Sequence, residues 1–207
     1  GRRRPVSKQA LRLEMRARRA AQAEAAGARD SAAAQERLLA WPGWAPACCV
    51  ACYLSVPGEV GTERILAACA AAGKRVVVPA RRGGPATYGW CRFSPDTPLR
   101  AGPRGIREPA SPDWAPPDEP DLIVVPGVAF DSRGRRLGHG LGCYDRLLAA
   151  APRALRAGLA FDWQMVAAVP VEAHDAPMDV VVTERMIYAG GGRPRLSTES
   201  KGERERV

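Results

Sequence analysis

Apolar and polar positions change period several times along the 207 residues, and each change marks an element. Residues 1 to 6 read as frayed. Ser7 is placed to cap a helix that runs through the alanine-rich stretch to about Leu39, with a break expected near Gly27. Trp41-Pro42-Gly43 ends it. Cys48 to Leu54 is a short apolar run of buried-strand type. Thr62 to Ala72 has helical spacing, with Ile65, Leu66 and Cys69 on one face and Gly73 as its stop. Arg75 to Val78 is the next strand, and a further strand is expected over Thr87 to Phe93. Residues 109 to 120 hold five prolines and read as a loop. Asp121 to Val125 is the most strand-like stretch. A glycine-rich loop follows it, then a helix over Tyr144 to Ala151 and strands over Arg156 to Phe161 and Val180 to Thr183. Strand, helix, strand in that alternation predicts an α/β fold with a mostly parallel central sheet. One domain is expected over residues 7–189. The polar stretch 190–207 is expected to be a disordered tail.

Length and composition narrow the class. No apolar stretch reaches the roughly 18 residues of a membrane span, and the first residues form no apolar signal region, so a cytoplasmic protein is expected. The six cysteines read as small buried hydrophobes. Cys49-x-x-Cys52 has the spacing of half a zinc site, but no second close pair accompanies it. The net charge of +9 is concentrated at one end. Residues 1 to 19 hold eight cations against Glu14 alone, which leaves the rest of the chain near +2. Such a segment attracts phosphate, although most of its arginines read as a solvated helix face.

The candidate chemistry lies between the strand at 121–125 and the helix at 144–151. Glycines stand at 134, 138, 140 and 142, with Arg135, Arg136 and His139 among them. Glycine lets backbone N–H groups approach an anion, and the helix start adds free donors. The loop lies at the carboxyl end of a strand, where open α/β sheets bind ligands. Its spacing fits neither a Walker A loop nor a dinucleotide fingerprint, and on spacing alone a plain flexible turn explains it equally well. Asp145 suits a metal that bridges phosphates, and also suits the first turn of a helix. Asp175, beside His174, is a second candidate carboxylate; His174 itself reads as a hydrogen-bonded loop residue. Magnesium needs only one or two such oxygens beside substrate phosphates and water.

The string Pro126-Gly127, Phe130-Asp131, Gly134, Arg136-Leu137-Gly138, Gly140, Gly142, Tyr144-Asp145-Arg146 resembles the signature of 5-formyltetrahydrofolate cyclo-ligases, also called 5,10-methenyltetrahydrofolate synthetases. Segments around Lys8-x-x-Leu11-Arg12, Tyr53-Leu54-Ser55 with Glu59-Val60-x-Thr62, Gly105-Ile106-x-Glu108-Pro109, and Ala160-Phe161-Asp162-x-Gln164 through Asp175 agree in the same order. The resemblance spans roughly residues 8 to 184. It implies a three-layer α/β/α protein that converts 5-formyltetrahydrofolate to 5,10-methenyltetrahydrofolate while ATP becomes ADP and phosphate.

The resemblance also implies roles. Lys8, Arg12, Arg136, Leu137, Gly138, His139, Gly140, Leu141, Gly142, Cys143 and Tyr144 would contact ATP. Leu54 and Glu59 would contact the folate, together with His139, Gly140, Leu141, Gly142 and Cys143. Asp145 and Asp175 would serve magnesium, and Arg136, His139 and Tyr144 would act on the reacting groups. Two positions depart from the family pattern, which usually has arginine at 139 and tyrosine at 143. Histidine is mostly neutral at pH 7 and reaches less far, and cysteine lacks the ring and hydroxyl. A repurposed relative that binds nucleotide or RNA is the alternative, although no RNA-binding motif is present. A monomer is expected, with folate and ATP as its partners and no membrane or nucleic acid. Trp90 and Arg81-Arg82 read as a packed ring and solvated cations; a contact with the folate or its glutamate tail is the other reading.

Overall fold

The computed structural model describes residues 7–22, 24–84, 87–102, 105–172 and 175–191. Residues 1–6, His174 and the tail from residue 192 lie outside them. In chain order the elements are α1 (Lys8–Ala20), α2 (Glu24–Leu39), β1 (Cys49–Ala51), α3 (Glu63–Ala71), β2 (Arg75–Arg81), β3 (Tyr88–Phe93), β4 (Leu99–Ala101) and β5 (Arg107–Pro109). They continue with β6 (Leu122–Val125), β7 (Ala129–Phe130), β8 (Arg136–Leu137), α4 (Cys143–Ala150), β9 (Leu155–Leu159), β10 (Val180–Val182) and β11 (Ile187–Ala189).

Seven strands form one sheet in the order β11-β10-β9-β6-β1-β2-β3. The inner five are parallel, and β11 and β3 close the two edges antiparallel. Alternate strand residues feed two apolar clusters. Val50, Leu122, Val124 and Val182 join Leu38 of α2 and Ile65 of α3. Ala51, Ile123, Val125 and Val181 join Leu147 and Leu148 of α4. The inner strands are buried on both faces, which is why β6 reads Leu-Ile-Val-Val without alternation. Cys49 and Cys52 fall into different clusters, and burial raises both thiols, Cys49 to about 11. Both are core side chains.

Ser7 caps α1, its hydroxyl accepting from the Ala10 N–H at 3.1 Å. The long helix expected to break near Gly27 breaks earlier, at Ala21 and Gln22, and Gly27 lies inside α2. The cause is packing. Leu11 and Met15 bury against Leu137 and Val169 in a small separate cluster, whereas Ala34 and Leu38 bury against the sheet. One straight helix cannot serve both surfaces.

The glycine-rich segment is also more structured than a loop, because β7 and β8 pair as a hairpin. Asp131, 1% exposed, holds its turn: one carboxylate oxygen accepts from the Arg133 and Arg135 N–H groups, and the other accepts from Val169 N–H. β2 runs three residues past the expected end at Val78. The last β2 residue paired with β1 is Val77, opposite Ala51, and from Pro79 on β2 pairs with β3 alone.

Candidate active site

The chain turns in one direction from β1 through α3 to β2, and in the other from β6 through α4 to β9. β1 and β6 are neighbours, so the sheet's topological switch point lies between their carboxyl ends. A cavity of about 980 Å³ opens there. Tyr53 and Leu54 enter its wall from the end of β1, Pro126 from the end of β6, and Arg81 from the end of β2. Lys8 and Arg12 of α1, Leu54, Glu59, the whole run Arg136 to Asp145, and Asp175 line this one cavity. Every residue to which the resemblance gives a role is therefore brought together, from segments far apart in the chain.

Gly134 and Arg135 are not in the wall; Gly134 turns the β7–β8 hairpin at φ 78°. The candidate loop thus begins at Arg136. Gly142 is the N-cap of α4 with φ 62°, a conformation that suits glycine. It lets the chain enter α4 directly from the cavity rim, with the free N–H groups of the first turn beside the wall. Arg12 crosses from α1 and donates through Nε to the Gly138 carbonyl at 2.9 Å.

The ionic groups are organised in pairs. Lys8 Nζ lies 2.7 Å from Asp175 Oδ2 and 3.2 Å from Glu172 Oε2. Burial pulls the Lys8 ammonium pKa down, but the bonds to Asp175 and Glu172 outweigh it and hold the pKa above its ordinary value. Asp175 Oδ2 also accepts from Glu172 N–H at 2.7 Å. Arg136 has only 6% of its side chain exposed; its Nη2 meets Asp145 Oδ1 at 2.8 Å and its guanidinium lies 5.6 Å from the Tyr144 ring centre. Arg136 Nε has no partner among the described residues. The Tyr144 hydroxyl is buried, also without a partner among them. Burial pushes its pKa well above the ordinary phenol range, and nearby Glu59 adds to the shift, so it stays a proton donor. Burial raises the Glu59 carboxyl too, offset in part by the Val56 N–H it accepts and by Arg19. His139 and Gly140 are exposed on the rim.

Trp90 is core, 1% exposed, and Arg82 lies 5.1 Å from the Trp114 ring centre, outside the cavity wall. Arg81, half-buried, is in the wall. Tyr53, Tyr88, Ile106, Arg107 and Glu172 also line the cavity with no role foreseen for them. Tyr53, Ile106 and Glu172 stand in motif segments that agree with the family; Tyr88 and Arg107 carried no signal in the sequence.

A profile of the 5-formyltetrahydrofolate cyclo-ligase family matches residues 4–184. The chain is 37% identical over 144 residues to the 5-formyltetrahydrofolate cyclo-ligase of Mycolicibacterium smegmatis, covering 66% of this chain and 73% of that one. It is 34% identical over 162 residues to the enzyme of the same name from Escherichia coli K12, covering 75% and 88%. The NMR structure of Aquifex aeolicus 5,10-methenyltetrahydrofolate synthetase superposes with a TM-score of 0.78 at 31% identity, over 95% of this chain and 99% of that one. The synthetase of Mycoplasma pneumoniae shares the fold, with a TM-score of 0.71 at 20% identity, over 86% and 99%. With its cavity built from the same segments that carry the signature, the chain belongs to the 5-formyltetrahydrofolate cyclo-ligase family.

Proposed function

We propose that the chain cyclises 5-formyltetrahydrofolate to 5,10-methenyltetrahydrofolate, converting one ATP to ADP and phosphate in each turnover. The observation that carries this is the single cavity at the switch point, which gathers Lys8, Arg12, Glu59, Arg136, Tyr144, Asp145 and Asp175. A formamide carbon is a poor electrophile and its oxygen a poor leaving group. Transfer of the γ-phosphoryl group to the formyl oxygen corrects both. N10 then attacks the activated carbon, the ring closes, and the oxygen departs as phosphate. Such a transfer needs alignment and charge neutralisation more than a protein nucleophile.

Lys8 and Arg12 take the triphosphate, with the N–H groups at the start of α4 as further donors. Arg136 offers an unpaired Nε and Tyr144 an unpaired hydroxyl, both able to donate to an oxygen that gains charge. Glu59 accepts from the pterin. Asp145 and Asp175 supply hard carboxylate oxygens at the same cavity, and that donor set fits magnesium held jointly with substrate phosphates. Magnesium, when bound, would neutralise phosphate charge. Asp145 and Asp175, which would hold it, pair with Arg136 and Lys8 here, and those two cations would then turn to the nucleotide.

A nucleotide- or RNA-binding role without catalysis is not favoured. Lys8 and Arg12 belong to the cavity wall, and Arg18 pairs with Glu14 at 2.6 Å. The test follows the ultraviolet absorbance of the methenyl product from 5-formyltetrahydrofolate, ATP and magnesium. Product that requires ATP, formed about 10- to 100-fold more slowly by Lys8→Met and Asp145→Asn, is expected. Folded protein that forms none defeats the proposal.

A further inference from the structure

We propose that Arg81 and Arg107 form a carboxylate subsite that holds the glutamyl end of the folate. The proposal rests on the cyclo-ligase reading; it decides between the two readings of Arg81 and adds Arg107. Arg81 closes β2 opposite Tyr88 of β3, and Arg107 opens β5 opposite Ala101 of β4. Both line the cavity.

Their lack of partners sets them apart. On the phosphate side Lys8 pairs with Asp175 and Glu172, Arg136 with Asp145, and Arg12 bonds the Gly138 carbonyl. Elsewhere on the β2–β5 part of the fold Arg75 pairs with Glu119, Arg92 with Asp113 and Glu119, and Arg100 with Glu108, while Arg82 covers Trp114. Arg81 and Arg107 alone among the described cations of β2 to β5 make no hydrogen bond, ion pair or ring contact. Two unpaired guanidinium groups on one cavity wall call for an anionic ligand group, and their planar forks suit carboxylates.

Their position selects which group. β2 is separated from β6 by β1, so Arg81's strand lies two strand spacings, roughly 10 Å, from the strand that leads into the glycine loop. Tyr53 and Leu54 after β1, Tyr88 on β3 and Ile106 before β5 give the cavity apolar and aromatic wall as well. The wall therefore combines phosphate donors beside β6 with apolar surface and, on the β2 side, two free arginines. A folate has groups to match: a reacting pterin, an aminobenzoyl ring, and a glutamyl group with two carboxylates.

The test compares 5-formyltetrahydrofolate with 5-formyltetrahydropteroate, the same molecule without its glutamyl group. Dissociation constants are measured by calorimetry for the wild type, Arg81→Gln, Arg107→Gln and, as a control outside the cavity, Arg82→Gln. The wild type is expected to bind the glutamyl form about tenfold or more tightly. Arg81→Gln and Arg107→Gln each close most of that gap, and Arg82→Gln leaves it open. In the absorbance assay their KM for folate rises while their KM for ATP stays within about twofold. A gap that survives both substitutions overturns the subsite, as does a rise in KM for ATP, which marks the arginines as phosphate ligands. Equal binding of the two forms by the wild type overturns it as well. The binding arm needs no turnover. Preference for the glutamyl form without methenyl product therefore defeats the cyclo-ligase reading and keeps the subsite, and binding of neither form by folded protein defeats both.

Discussion

Gly134 and Gly142 have similar backbone angles, φ 78° and 62°, and serve different ends. Alanine at 142 meets the strain of an L-residue in left-handed conformation, about 1–2 kcal/mol. At 134 an added Cβ also lies 2.4 Å from the Met178 carbonyl oxygen, where backbone has to move. Gly134→Ala is therefore expected to lower the urea midpoint more than Gly142→Ala. Gly142→Ala is expected to weaken ATP binding more, because it alone disturbs the cavity rim; the reverse order in either titration contradicts these assignments. Glu59 gives a prediction in pH. Its folded pKa is raised, so the native state holds the proton more tightly than the unfolded chain. Its contribution favours folding below the unfolded value and is lost as pH rises through the folded one. Glu59→Gln is expected to gain melting temperature relative to wild type between pH 4 and pH 7 while it loses folate affinity. A constant difference across that range rules out the buried carboxylate as the cause. At this scale the sequence was informative where a motif named the residue. Glu59 came from the resemblance alone, since a surface acid before a helix looks the same. Arg81 was read with Arg82 as a solvated cation, with a folate contact as the other reading, because no motif singles out either position.

α1 binds through two kinds of contact. Met15, 2% exposed, and Leu11 anchor it to the small cluster around Leu137 and Val169, and Lys8 and Arg12 then reach the cavity. Met15→Ala is expected to cost about 2–3 kcal/mol locally and to raise the Kd for ATP, with amide exchange quickening in α1 before it does in β6. Uniform quickening across the sheet would show that α1 is not a separate unit. In the β7–β8 hairpin, Asp131→Ala leaves three backbone N–H groups unsatisfied. A loss of about 3 kcal/mol in denaturant is expected, and an unchanged midpoint would show that the turn is held by its glycine alone. The long helices and inner strands were readable because burial imposes a period over many residues. β7, β8 and β11 span two or three residues each, too few to carry a period, and their pairing depends on partners elsewhere. The break between α1 and α2 was displaced for a similar reason: two packing surfaces decide it, whereas Gly27 only suggests it.

The cavity depends on the whole sheet. Its walls come from the β1–β2–β3 half, the β6–α4–β9 half and α1, so a ligand that fills it ties these parts together. ATP with magnesium at 100 times Kd is expected to stabilise the protein by about 2.7 kcal/mol, or roughly 5–10 °C in a melting scan. Lys8→Met is expected to remove most of that shift without lowering the unliganded transition much, and an undiminished shift would place the nucleotide elsewhere. The parallel order followed from the alternation of elements, and no helix among the described residues is long and apolar enough to cross a membrane. The edge strands β3 and β11 and the hairpins depend on three-dimensional closure. The bond from Lys8 to Asp175 joins positions 167 residues apart. During synthesis at roughly 5–20 residues per second, on the order of ten seconds or more pass between the appearance of the two. A nascent chain therefore carries its basic first helix without the carboxylate that will answer it, and cannot hold nucleotide in the finished manner until the last part of the sheet has left the ribosome.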